Sequence, residues 1–146
     1  MKSIVIGLLV GFMAWQASAG EEQWTTDLSK AQEKAKKEKK MVLVDFTGSD
    51  WCPPCKALHK NVFTSEEFLK YAKDNVVLVE LDFPRTKEQS AELKRTNEEL
   101  RVKHNVDAFP TVIVFDSEGK ELKRESGYDG TRPAQYIAKL KKLQKA

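Results

Sequence analysis

The feature that most constrains the fold is a run of apolar residues of strand length. Residues 41–46 (MVLVDF) are apolar except for Asp45. A run without polar alternation suits a central strand that is covered on both faces of a sheet. Residues 76–81 and 111–115 have the same character. These three segments therefore predict a buried sheet at the centre of the chain.

Segments typical of helices lie between these strands. Asp27 is a typical N-cap residue, and Thr64 and Glu67 have the form of a capping box. Helices between strands favour parallel pairing, whereas a tight turn forces an antiparallel hairpin. The chain is therefore expected to be an α/β protein with one mixed central sheet and helices on both faces. The predicted elements are helix 28–39, strand 41–46, helical stretches from residue 53 to about 73, strand 76–81, helix 87–103, strand 111–115, turn 116–119, edge strand 120–125 and a helix from about residue 131.

The first nineteen residues predict an export signal. Lys2 gives a positive start, residues 4–15 are mostly apolar, and Ala17-Ser18-Ala19 is a small-residue cleavage site before Gly20. The apolar run is about half of the roughly 20 residues that a membrane-spanning helix needs. A retained signal anchor is the alternative. We expect a signal peptide at 1–19, cleavage before Gly20, and a periplasmic protein.

The composition is that of an ordinary globular chain. It has 146 residues, a hydrophobic fraction of 40% and a net charge of +3, with 25 basic and 22 acidic residues interspersed. This length suits one domain with a buried core, and the hydrophobic fraction argues against a disordered chain. A nucleic-acid interface needs basic residues gathered without acidic neighbours, so we expect none.

Cys52 and Cys55 are the only two cysteines. A disulfide between them would close a very short loop and remove little chain entropy from the unfolded state, so chemistry is the better reason for this spacing. At the start of a helix, unpaired N–H groups and the helix dipole favour a thiolate. Cys52 is thus the candidate nucleophile and Cys55, one turn inward, the resolving thiol. Pro53 and Pro54 remove two N–H donors from the sulfur's surroundings.

The sequence resembles the thioredoxin-like superfamily over residues 24–146. Three segments carry the resemblance, namely 42–46 (VLVDF), 51–56 (WCPPCK) and 109–111 (FPT) before a strand. The resemblance implies a thioredoxin fold with an extra N-terminal helix, formed by one domain at 20–146. It also implies a protein thiol–disulfide oxidoreductase that works without a cofactor or a bound metal.

The same resemblance implies which residues meet the substrate. Pro110 would be a cis-proline that faces the cysteines, and the backbone of Phe109 would hydrogen-bond a bound peptide. Together with Trp51, Pro53 and Pro54 they form the candidate substrate-binding surface. Trp51 either shields one side of the sulfur and offers apolar contact, or only packs.

Asp45 is the third candidate catalytic residue. A carboxylate within an apolar strand is expected to be partly buried, with a raised pKa that suits proton transfer with the resolving thiol. A satisfied structural carboxylate is the alternative. Where thioredoxins usually carry a lysine that pairs with this aspartate, the chain has Glu80, and an outward orientation is the simpler expectation. The segment 82–110 is longer than in a minimal thioredoxin, and its charged helix is a candidate to flank the active site and recruit or exclude partners.

Two other classes of protein are weighed against the redox enzyme. Cys52, Cys55 and His59 offer three metal ligands, but a structural zinc site takes four and the sequence has no second ligand pair. A non-catalytic peptide-holding module has no need of an intact cysteine pair. The direction of electron flow stays open among reductant, oxidase and isomerase, and the motif favours a reductant. The expected partners are exported proteins with disulfides or thiols and a membrane redox partner that recycles the dithiol, and we expect a monomer.

Overall fold

The computed structural model of the protein describes residues 23–145. The predicted signal peptide lies outside this range and stays a prediction. The described residues form a five-stranded sheet of order β1-β3-β2-β4-β5. In this part of the chain no helix is both long and apolar enough to cross a membrane. The strands are β1 (Trp24–Thr25), β2 (Met41–Thr47), β3 (Val76–Asp82), β4 (Thr111–Phe115) and β5 (Glu121–Ser126), and the helices are α1 (Leu28–Glu38), α2 (Pro53–Leu58), α3 (Glu66–Asn75), α4 (Ala91–Lys103) and α5 (Pro133–Gln144).

The sheet is mixed, as the sequence predicts. Strand β2 pairs in parallel with β3 and antiparallel with β4, and β4 and β5 form an antiparallel hairpin. Every residue of β2 is buried, because helices cover both faces of the sheet. Helices α1 and α4 pack on one face, and α2, α3 and α5 pack on the other. The predicted thioredoxin fold, with helices on both faces and an N-terminal helix, is confirmed.

One predicted helix start is confirmed and another is wrong. Asp27 is the N-cap of α1, and its carboxylate accepts a hydrogen bond from a backbone amide at 3.0 Å. The capping box predicted at Thr64 and Glu67 does not form. Instead Ser65 is the N-cap of α3 and accepts a hydrogen bond from the amide of Phe68. The hydroxyl of Thr64 instead donates hydrogen bonds to carbonyl oxygens of the preceding turn, so it does not cap α3.

Two further boundaries differ from the prediction. Helix α4 begins at Ala91 rather than at residue 87, because Ser90 caps it by accepting a hydrogen bond from the amide of Leu93. Strand β1 (Trp24–Thr25) is absent from the prediction, since two residues carry no periodic pattern. It pairs in parallel with the outer side of β3.

An aromatic cluster holds the helix that carries the cysteines against the sheet. Helix α2 continues directly into a π-helical turn, His59–Phe63. The ring of Phe63 at its end packs against those of Trp24, Phe68 and Tyr136, with centroid distances of 5.1, 5.1 and 5.6 Å. Burial of large aromatic side chains is a major source of folding stability. The cluster therefore fixes the far end of α2 while its N-terminal end stays at the edge of the core.

Candidate active site at the start of the second helix

Cys52 and Cys55 lie at the N-terminal end of α2 and are joined by a disulfide in this structure. Cys52 is the N-cap residue, and its Sγ accepts a hydrogen bond from the amide of Cys55 at 3.4 Å. Pro53 and Pro54 occupy the first helical positions and have no N–H to offer the sulfur. The Sγ of Cys55 accepts a hydrogen bond from the amide of Gly48 at 3.4 Å. Within the described residues, each sulfur is thus held by one backbone donor.

A buried carboxylate braces the loop that precedes the cysteines. Asp82, the last residue of β3, accepts hydrogen bonds from the amide and the hydroxyl of Ser49 at 2.9 and 2.5 Å. The side-chain amides of Gln89 and Asn97 donate to the carbonyl oxygen of Asp82 at 3.2 and 3.1 Å. Asp82 therefore joins the cysteine loop, the central sheet and α4 in one hydrogen-bond network.

A second carboxylate anchors the segment that follows β3. Asp50 accepts hydrogen bonds from the backbone amides of Arg85, Thr86 and Lys87 at 2.9, 2.7 and 2.8 Å, and from the hydroxyl of Thr86 at 2.8 Å. The amides of Arg85 and Lys87 do most to hold the pKa of Asp50 far below its ordinary value. The carboxylate thus stays ionised in mildly acidic solution and keeps this segment beside the cysteine motif.

Trp51 is packed into this arrangement on several sides. Its indole N–H donates to the carbonyl oxygen of Phe83 at 2.8 Å, and the guanidinium of Arg85 lies 3.9 Å from the ring centroid. The ring of Phe109 meets it edge to face at 5.9 Å. These contacts give Trp51 the packing role, while its contact with a substrate stays a prediction.

Gly48 leaves the space that the Trp51 ring occupies. A Cβ at this position would lie 2.5 Å from a ring carbon of Trp51, far inside van der Waals contact. We expect Gly48→Ala to displace the ring and to lower the free energy of unfolding by about 1–3 kcal/mol, as overpacking does. Urea denaturation followed by tryptophan fluorescence measures both effects. In a Trp51→Ala background the same change should cost much less, and an equal cost in both backgrounds would contradict the clash.

The Phe109–Pro110 peptide bond is cis, as the resemblance implies. Pro110 is buried, and its carbonyl oxygen accepts a hydrogen bond from the amide of Gly127 at 2.8 Å. The ring of Phe109 packs on both Trp51 and Phe83, which places this segment beside the cysteine motif. The roles of Phe109, Pro110 and the two prolines of the motif in binding peptides stay predictions.

Asp45 lies on β2 beneath α2 and is only 2% exposed. Its Oδ1 has no hydrogen-bond partner among the described residues. Burial raises the pKa of Asp45 well above its ordinary value, and the nearby charges of Glu80 and Asp82 raise it further. The raised pKa expected from the sequence is confirmed, and the role of Asp45 in proton transfer stays a prediction.

Glu80 does not point outward, so the simpler expectation for this residue is wrong. It is half-buried and pairs in register with Asp45 on the neighbouring parallel strand. Residues in register on parallel strands project to the same face of the sheet. Burial and the charge of Asp82 raise the pKa of Glu80, whereas His59 and Lys87 oppose this shift. Two carboxylates therefore lie side by side on the face of the sheet that α2 covers.

The charged helix of segment 82–110 packs mainly beside α1, since its Leu100 lies on the opposite face of the sheet from α2. It reaches the site through Asn97, which donates to Asp82, and the stretch 83–87 reaches the site through Trp51 and Asp50. That this segment recruits or excludes partners stays a prediction. Across residues 23–145, no group of three or more histidine, cysteine or acidic side chains is placed to hold a metal ion.

Sequence reasoning missed three residues that shape the site. Asp50 had a local signal, since it ends a turn next to the motif. Asp82 had one as well, because side chains that follow the carboxyl ends of parallel strands gather at one edge of a sheet. Arg85 had none, because its partner Trp51 comes much earlier in the chain.

Comparisons with known proteins agree with this geometry. The family model described as a thioredoxin-like domain matches residues 28–144. Disulfide bond reductase DsbH of Chlamydia pneumoniae is 35% identical over 124 residues, which are 85% of this chain and 74% of that protein. A solved structure of a DsbH oxidoreductase has a TM-score of 0.77 at 35% identity and covers 84% of each chain. Thiol:disulfide interchange protein DsbD of Photorhabdus laumondii is 31% identical over 106 residues, 70% of this chain but only 17% of that protein.

Proposed function

Because the chain belongs to the thioredoxin-like domain family and is a thiol–disulfide oxidoreductase, we propose that it reduces disulfides of exported proteins. The observation that carries the proposal is its likeness, over 85% of its length, to a protein named as a disulfide bond reductase. The pair of Cys52 and Cys55 supplies the dithiol.

The electrons of the reaction pass only between these two cysteines and the substrate. The thiolate of Cys52 attacks one sulfur of the substrate disulfide, and the other substrate sulfur leaves as a thiolate that takes up a proton. Cys55 then loses its proton and attacks the Cys52 sulfur of the mixed disulfide, which releases the second substrate thiol. Two electrons pass from the dithiol to the substrate, and the Cys52–Cys55 disulfide is the oxidised product.

The surroundings of Cys52 support a reductant. A dithiol is a strong oxidant in its disulfide form when the protein stabilises the reduced state, above all the nucleophilic thiolate. Here Cys52 is almost fully buried and its Sγ receives one backbone N–H, from Cys55, since Pro53 and Pro54 lack the donor. A buried thiolate with few hydrogen-bond donors is poorly stabilised, so the dithiol favours oxidation to the disulfide.

The N-terminal sequence supports the site of action that we propose. The signal peptide expected at residues 1–19 supports action in the periplasm on exported proteins. In an oxidising compartment a reductant must be recharged with electrons from across the membrane. The likeness to DsbD, a thiol:disulfide interchange protein, supports a membrane redox partner that recycles the Cys52–Cys55 disulfide.

The reduction potential of the Cys52–Cys55 pair tests the direction of electron flow. We expect a value near that of thioredoxin, about −270 mV, measured by equilibration with glutathione buffers and thiol alkylation. Any potential more negative than about −200 mV supports a reductant. A value in the region of strong periplasmic oxidants, about −120 mV, would contradict the proposal. The Cys52→Ser, Cys55→Ser double variant serves as the control, since it should show no redox-dependent alkylation.

A further inference from the structure

A cavity of about 620 Å³ lies behind the resolving cysteine and opens to solvent. Cys55, His59 and Glu80 line it, and its remaining walls come from β1, the cysteine loop, α2 and the π-helical turn after it, α3 and the segment after β3. Its walls are more apolar than polar, but Ser49, His59, Glu80 and Lys87 supply polar groups, and the cavity has ample room for water molecules. Asp45, the other carboxylate of this region, is not among its lining residues.

The resolving step requires a proton acceptor at Cys55. Only the thiolate attacks a disulfide, so the Cys55 thiol must lose its proton as the mixed disulfide is resolved. Cys55 is only 2% exposed to solvent. Its backbone partner, the amide of Gly48, is a donor and accepts no proton. The acceptor must therefore be reached through the cavity or through the sheet below it.

Asp45 alone is a poor exit for this proton, because it is sealed in the core without a hydrogen-bond partner at Oδ1 among the described residues. Glu80 lies next to Asp45 in register and opens onto the cavity that it shares with Cys55. We propose that Glu80 takes up the Cys55 proton through water in this cavity and returns it to solvent. Glu80 thus acts on Cys55 through water, without contact with the substrate.

The step balances within the known reaction. The S–H bond of Cys55 breaks, and its electron pair forms the bond to the Cys52 sulfur. The bond between Cys52 and the substrate breaks, and that pair leaves on the substrate sulfur as a thiolate. The proton passes to the Glu80 carboxylate. The role rests on the thiol–disulfide exchange proposed above and adds the route of its proton.

The charges that face Glu80 suit this task. Asp45 faces it from β2 and Asp82 from its own strand, whereas His59 faces it from the turn after α2 and Lys87 from the segment after β3. Lys56 of α2 lines the same cavity. Burial and then Asp82 raise the pKa of Glu80, which makes its carboxylate a better proton acceptor than an exposed glutamate.

The experiment separates the two steps of the exchange. The reduced protein reacts with a fluorescent cysteine peptide joined by a disulfide to nitrothiobenzoate in a stopped-flow instrument. Absorbance follows the attack by Cys52, and fluorescence anisotropy follows the release of the peptide by Cys55. We expect Glu80→Gln to slow peptide release about tenfold at pH 7 while attack changes less than twofold, because only the second step needs the acceptor.

The pH profile and two further variants make the result specific. Wild-type release should slow as pH falls and Glu80 becomes protonated, and Glu80→Gln should lose this acidic limb. Glu80→Asp, which keeps the carboxylate, should recover most of the rate. Glu125→Gln is the matched control, since it removes another half-buried strand glutamate that does not line this cavity. Unchanged release and an unchanged profile in Glu80→Gln would overturn the role of Glu80, whereas absence of any peptide release by the wild type would overturn the exchange itself.

Discussion

Cys52→Ser and Cys55→Ser are each expected to lower the rate of insulin reduction by about a thousandfold or more, since a nucleophile cannot be replaced by its neighbours. The two variants should differ in what they trap. Cys55→Ser keeps the attacking thiol and loses the resolving one, so it should accumulate a mixed disulfide with the substrate. Cys52→Ser should accumulate none. Mass spectrometry of the non-reduced protein after reaction with a disulfide peptide measures the trapped species.

Position on the helix, rather than exposure, assigns these roles. The two sulfur-bearing residues are 3% and 2% exposed, a difference too small to decide which one meets the substrate. Cys52 is the N-cap at the open end of α2, whereas Cys55 is one turn inward and is held by the amide of Gly48. The double variant is the control and should trap nothing. Trapping by Cys52→Ser instead of Cys55→Ser would reverse the assignment.

The sequence was sufficient for the parts of the fold that depend on local composition. The buried strands are continuous apolar runs, and the hairpin of β4 and β5 follows from its short turn, so both could be predicted. The position of the cysteine motif at the start of a helix could likewise be predicted. The π-helical turn His59–Phe63 could not be predicted, because it depends on how Phe63 packs against side chains from three other elements.

The supports of the site depend on pairings distant in sequence. Asp50 reaches the amides of residues 85–87 and Asp82 reaches Ser49, and although each aspartate stands at a recognisable position, the partners of these bonds are 35 to 37 and 33 residues away. Glu80 shows which features of the site cannot be predicted from the sequence. Alternation along β3 puts it on the same face as Leu78, which is buried, but only the register with Asp45 and the presence of the cavity explain why a carboxylate is tolerated there.

The pairing of Asp45 and Glu80 also links the site to the stability of the whole protein. A carboxylate that is buried without a hydrogen-bonded cation is a cost to folding, and such positions are kept for function rather than for stability. The cavity beside Glu80 relieves part of this cost for one member of the pair, whereas Asp45 stays sealed. Asp45 is therefore the member of the pair that is expected to cost the folded protein more stability.

Asp45→Asn is expected to stabilise the oxidised protein by about 3 kcal/mol at neutral pH, the scale of an uncompensated buried charge. Because the pKa of Asp45 is raised in the folded state, its penalty is full above that pKa. The penalty shrinks as pH falls through the folded pKa and vanishes below the unfolded value of about 4. Urea denaturation from pH 3 to 8 should therefore show an advantage of the variant that grows with pH.

The exposed Asp74→Asn is the matched control for this series, and its stability should stay within about 0.5 kcal/mol of wild type at every pH. An Asp45→Asn protein that is less stable than wild type at neutral pH would show that the carboxylate is compensated in the folded state. An advantage that does not depend on pH would show that packing, rather than ionisation, is responsible. The expected pH dependence instead assigns the cost to the buried charge of Asp45.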